Sequence, residues 1–148
     1  MEWIVLFIIN WIVFLLLVNL KKLKINILAG FFAICMAITT DFLNSSVQGR
    51  YIIHKPVVSI LGDSLFFLIG PVFVIGILIA QYHPKNRWMS VINVFVITVI
   101  YSLTEYILVY KGVVEYIDWD YIDSVMVNIG AMVMISWFSM TVLKKWSG

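Results

Sequence analysis

Two carboxylates interrupt apolar runs of this chain, Asp63 in VVSILGDSLFF and Glu105 in VITVIYSLTEYILVY, and a third, Asp41, closes another run. An ionised carboxylate near the middle of a bilayer costs from about 3 kcal/mol to much more, so a residue of this type there is a functional candidate by default. Kept protonated, such a group can act as a general acid; kept ionised, it calls for a cation. Thr98, Tyr101, Ser102 and Glu105 recur at spacings of three and four, one polar stripe on a helix, which brings the Tyr101 hydroxyl to the face of the acid. Glu105 lies five residues before Tyr110 and Asp63 six after Val57. At 1.5 Å per residue both then sit about 7–9 Å below one membrane boundary. Three carboxylates at one level repel one another unless a proton or cation intervenes. The nearest cations along the chain are Arg50, His54 and Lys55. The expectation is an outward-facing polar pocket lined by Glu105, Asp63, Asp41 and Tyr101, with Arg50 and His54 from the neighbouring loop.

Plainer readings compete. Asp63-Ser64 also suits the N-cap of a shorter helix starting near Ser64, which leaves Asp63 at the interface with no further role. Glu105 is long enough to snorkel outward, and polar stripes often serve only helix packing, at about 0.6 kcal/mol per hydrogen bond. The sequence carries no Ser-His-Asp arrangement, phosphate loop, Asp-rich diphosphate motif or Walker sequence. The single Cys35 forms no internal disulfide and belongs to no metal-ligand spacing, and His83 has no second ligand near it in sequence. Neither metal nor cofactor is expected, and the balance leans away from an enzyme.

The elements that must hold these residues follow from hydropathy. With 63% hydrophobic and 12% charged residues among 148, and a mean hydropathy of +1.03, the chain has far more apolar surface than one soluble core hides. Five apolar runs predict one all-α transmembrane domain over residues 1–148, with helices over about 3–20, 25–43, 57–81, 90–110 and 124–143. The first run lacks a basic n-region and a small-residue cleavage site, which favours a retained helix. Pro71, inside the third run, removes a backbone donor and should disturb the helix there.

The breaks alternate in charge. Seven of the ten Lys and Arg residues (Lys21, Lys22, Lys24, Lys85, Arg87, Lys144, Lys145) lie on one side of the array and all eight Asp and Glu on the other. Lys- and Arg-rich short loops stay cytoplasmic, so the N-terminus is expected outside and the C-terminus inside. Trp3, Tyr51, Tyr110, Tyr116, Trp119 and Tyr121 fall at the outer boundary, where aromatic anchors belong. A net charge of +2, with its basic residues at helix ends, gives no nucleic-acid partner.

Pro71 within an apolar run, the turn Tyr82-His83-Pro84-Lys85, and Ser102…Glu105 followed by Gly112…Tyr116…Trp119 carry a resemblance. From about residue 60 onward the chain resembles a family of small uncharacterised multi-pass membrane proteins of spore-forming Gram-positive bacteria. The resemblance implies a four-to-five-helix protein of the bacterial cell membrane and singles out Glu105 and Trp119; it implies no catalytic residue, cofactor or substrate. The residues themselves favour a membrane subunit or binding protein built around the acidic pocket. Its surroundings are the lipid bilayer, with a second copy or a partner membrane protein beside it. An intramembrane lipid or isoprenoid enzyme using a buried carboxylic acid is the alternative, with a small ion-coupled transporter behind it.

Overall fold

The computed structural model describes residues 1–143. Lys144, Lys145 and Trp146, the expected inner end of the last helix, lie outside the described residues. Five helices run through the described residues. They are α1 (Glu2–Leu17), α2 (Leu20–Asp41, continued by a wider π turn over Phe42–Val47), α3 (Leu65–Gln81), α4 (Arg87–Tyr110) and α5 (Tyr121–Thr141). Three segments, Leu20–Val47, Arg87–Tyr110 and Tyr121–Thr141, are long and apolar enough to cross a membrane; α1 and α3 are apolar but shorter. Leu15, Leu16, Phe95 and Ile122 are each two-thirds or more exposed, an apolar exterior that suits lipid rather than water.

Local chemistry sets the helix starts a few residues earlier than hydropathy does. Asn19 caps α2 by accepting from the Lys21 N–H at 3.0 Å, and Asn86 caps α4 by accepting from Trp88 at 2.9 Å. Asp120 and Asp123 form a reciprocal capping box on α5. The lysines expected between helices one and two therefore belong to the first turn of α2: hydropathy marks where lipid begins, and caps mark where the helix begins.

Helix three departs furthest from expectation. Residues 57–64 are not helical; β2 (Ser59–Ile60) pairs antiparallel with β3 (Asp63–Ser64) through Leu61 and Gly62, whose φ values of +51° and +89° make a primed hairpin turn. A side chain at Gly62 would collide with Ser46 Oγ, so only glycine fits. The helix starts at Leu65 with Ser64 in the N-cap position, in extended conformation. Pro71 is absorbed in a π-helical turn, Leu68–Val72, where the Phe73 N–H reaches back to the Leu68 carbonyl. Trp11 of α1 donates its indole N–H to the Ile69 carbonyl within this turn, at 3.2 Å. A neighbouring helix thus serves a backbone acceptor beside the proline, as lipid burial requires.

A second small sheet qualifies the all-helical expectation. β1 (Tyr51–Ile53) pairs antiparallel with β4 (Val114–Tyr116), in the register Tyr51↔Tyr116, Ile52↔Glu115 and Ile53↔Val114. It ties the α2–α3 connection to the α4–α5 connection across one end of the bundle.

Helix packing forms a ring. α2 packs closely on α3, where Gly76 faces Ala29, Gly30 and Ala33; a Cβ at Gly76 would come within 2.7 Å of the Ala29 carbonyl. α5 touches α2, α3 and α4, with Phe32 and Phe138 stacked at 4.4 Å, and α1 lies outside against α3. α2 and α4 stand diagonally, with α3 and α5 between them. At one end Gln81 bonds to Leu17 and Asn19. At the other the Trp3 indole donates to the His54 carbonyl beside the β1–β4 sheet. Every Asp and Glu of the chain belongs to that sheet end.

Candidate functional site

The ring encloses a cavity of about 110 Å³ beneath the β1–β4 sheet. Asp41, Asp63, Tyr101 and Glu105 all line it, brought together from the last turn of α2, from β3, and from successive turns of α4. Trp3, Tyr51, Phe67, Tyr116 and Trp119 supply aromatic walls. No Lys, Arg or His is among the described residues that line it.

Asp63 is only 1% exposed. Its Oδ1 accepts from the Ser64 N–H at 2.6 Å, while Oδ2 has no donor among the described residues and the carboxyl faces that of Asp41. Burial, and next the adjacent Asp41 carboxyl, push Asp63 up to about 10. The two facing carboxyls therefore share one proton, which removes their mutual repulsion. Tyr51 donates a hydrogen bond to Asp41 Oδ1. Burial, reinforced by the Asp41 charge, pushes the Tyr51 phenol up, so it stays protonated as a donor. Ser64 rather than Asp63 holds the N-cap position, and Asp63 is buried rather than at the interface, so the structure places it in the cavity and not in the cap that the sequence also suited.

Glu105 sits differently. Tyr116 donates to its Oε1 at 2.8 Å and Asn128 Nδ2 to its Oε2 at 2.9 Å. Asn128 also reaches Ser102 Oγ at 3.2 Å, and Ser124 Oγ bonds to the Tyr116 hydroxyl at 2.9 Å and accepts from the Trp119 indole. The carboxylate is held by donors from β4 and α5 and does not snorkel. Tyr101, one turn further in on α4, lies within the electrostatic reach of all three acids, and its hydroxyl makes no hydrogen bond to a described residue.

Arg50 and His54 do not join the cavity, contrary to expectation. The His54 ring meets Glu115 Oε2 at 2.8 Å on the outer face of the sheet, and the Arg50 guanidinium lies 5.7 Å over the Trp119 ring. The alternation of a strand explains this: Tyr51 points inward, while the residues around it find partners at the surface. Of the other site residues, Tyr116 and Trp119 stand in the sequence as boundary aromatics, and Ser124 and Asn128 are not counted among its candidates. Tyr121, Ser124 and Asn128 recur at spacings of three and four, a polar stripe on α5 of the kind that flagged α4.

Among the described residues no group of three or more His, Cys, Asp and Glu is gathered closely enough to hold a metal ion. The arrangement instead offers dispersed carboxylate oxygens, a free phenol and aromatic faces, which suit a cation carrying N–H donors and a hydrocarbon body. The chain matches no family model, no curated protein and no solved structure.

Proposed function

We propose that this is a bacterial plasma-membrane protein crossing the bilayer five times, N-terminus and acidic end outside, that binds a small organic cation in the carboxylate-lined cavity. Three helices of spanning length, the lipid-suited exterior of α1 and the placement of Lys21, Lys22, Lys24, Lys85 and Arg87 opposite every acid support the topology. One observation carries the binding role: Asp41, Asp63 and Glu105 share a cavity that no cationic side chain of the described residues enters. Buried carboxylates without internal counter-charge are costly, and an incoming cation removes that cost.

The enzyme alternative asks for an apolar cleft open to lipid with a carboxyl at its end. A groove of about 780 Å³ does run along α4 and α5, floored by Ser90, Thr98 and Ser102, but no carboxylate lines it. Glu105 is turned away from it, towards Tyr116 and Asn128. For transport, the half of the bundle beyond the cavity offers fully buried Ala29, Ile79 and Ala80 and no acid. Both alternatives are the weaker for it.

Two measurements test the proposal. In a Cys35→Ala background, cysteines at Gln48 and Asp118, both exposed at the sheet end, should react with impermeant thiol reagents on intact cells; labelling only after permeabilisation refutes the orientation. Purified protein in neutral detergent should be stabilised by alkylammonium ions at concentrations where sodium has no effect. Ten times Kd gives about 1.4 kcal/mol, or a few degrees in Tm. If no organic ammonium raises Tm, the binding role falls.

A further inference from the structure

The cavity has two anionic poles, and they stand apart. One is the Asp41–Asp63 pair, at the end of α2 and on β3; the other is Glu105, on the diagonal helix α4. Each pole is anchored by its own donors: Tyr51 on Asp41 and the Ser64 N–H on Asp63, Tyr116 and Asn128 on Glu105. Side chains such as Ala37, Phe67, Tyr101 and Val127 complete the cavity wall. The two poles do not close on a common point, since no three acids among the described residues gather as metal ligands do.

Charge and volume then narrow the ligand. Two separately anchored carboxylate groups line the cavity, and no cationic side chain of the described residues does. A monoamine meets one of them and leaves the other unmatched, whereas a ligand with a cation at each end meets both. A cavity of about 110 Å³ is several times the roughly 10–15 Å³ that a single water needs, so it has room for a small organic molecule. Two ammonium groups joined by a short hydrocarbon chain are a molecule of that kind.

Building on the cation-binding reading, we infer that the ligand class is a short α,ω-diamine, one ammonium on the Asp41–Asp63 pair, the other on Glu105, its methylenes against the aromatic wall. Asp63 Oδ2, buried and without a donor among the described residues, accepts from the first ammonium, which takes the place of the proton shared with Asp41. The Tyr101 hydroxyl, on the cavity lining and without a hydrogen bond to a described residue, is a further acceptor for an ammonium. Aromatic faces flank the methylene chain as they flank other alkylammonium ligands.

The test compares two ligands of equal carbon chain, putrescine and butylamine, by isothermal titration calorimetry on the full chain in neutral detergent at neutral pH. Putrescine should bind at least about tenfold more tightly, the contribution of one additional charge-assisted contact. In Glu105→Gln the ratio should shrink to within about threefold, because the second pole has lost its charge. Equal affinities in the wild-type protein overturn the diamine inference and leave the cation-binding reading standing. Binding of neither ligand overturns both, and tighter binding of calcium than of putrescine overturns the organic ligand class. If Glu105→Gln does not fold, the wild-type ratio decides.

Discussion

Replacing Asp63 by Asn should remove a pH dependence that the buried acid pair imposes on stability. The wild-type carboxyl is held protonated by burial and by Asp41, with its folded-state pKa up to about 10, against roughly 3.9 when unfolded. A raised folded pKa means that the folded state holds the proton more firmly. Its contribution to stability is complete below the unfolded value and is lost as pH climbs through the window towards the folded one. For one proton the slope is at most about 1.4 kcal/mol per pH unit. Between about pH 6 and 8 the ligand-free protein should lose up to about 2.7 kcal/mol, or about 5–10 °C in Tm at this chain length. Asn keeps the geometry: its Oδ1 still accepts from the Ser64 N–H, and its Nδ2 donates permanently to Asp41 where the proton stood. Thermal unfolding followed by tryptophan fluorescence across that range measures both proteins. Ionisable groups outside the acid pair are common to both proteins, so the difference in slope belongs to the pair. A wild-type Tm that is flat or rises with pH, or an Asp63→Asn protein as steep as wild type, refutes the shared-proton assignment.

Glu105 yields a contrast of two substitutions. Gln can accept from Asn128 and donate to the Tyr116 oxygen, whose hydroxyl then turns to Ser124, so Glu105→Gln should change stability by less than about 1 kcal/mol. Glu105→Leu strands the donor from Asn128 and should cost about 1–3 kcal/mol; a Leu protein as stable as wild type refutes the buried network and favours a snorkelling acid. Gly76→Ala places a methyl 2.7 Å from the Ala29 carbonyl and 2.8 Å from Ala33 Cβ, and should cost about 1–3 kcal/mol as α2 and α3 separate. Gly130→Ala meets nothing within 4 Å and should stabilise α5 by about 0.5–1 kcal/mol. Denaturant or thermal titration that reverses this order refutes the α2–α3 contact.

Hydropathy and charge made the helices legible because both respond to the same solvent, lipid, and each apolar run is long relative to any boundary error. Caps were legible in principle: Asn19, Asn86 and Asp120 precede their helices, yet the lysines after Asn19 masked the first as an inner loop. The β2–β3 hairpin was not legible. Its turn places Leu61, an unusual residue at positive φ, ahead of Gly62, and the flanking Val57, Val58 and Ile60 look the same to a hydropathy window whether strand or helix. The β1–β4 pairing joins residues some sixty positions apart, a distance across which local pattern carries no register. That pairing delivers Tyr116 to Glu105 and encloses the cavity, so the partners of the acid were hidden although the acid itself stood out.

The relative weight of the two acids changes once the partners are known. In sequence, Glu105 is the more conspicuous, an acid with apolar helix on both sides, while Asp63 has a ready explanation as a cap. In the folded protein Glu105 accepts from two side chains, an arrangement that a purely structural polar network can also provide. Asp63 lacks that support on one oxygen and faces another carboxyl in a site 1% exposed. Asn at the same position would satisfy Asp41 permanently and remove the repulsion, so folding alone favours Asn. A fold that places a costly acid beside a cavity, where a single substitution would relieve it, forgoes stability at one point. The proposed binding role asks this position for a charge that can be exchanged, a proton for a ligand cation, which Asn could not supply. The proposal therefore rests on Asp63 and its pairing with Asp41, and Glu105 enters it as the second pole.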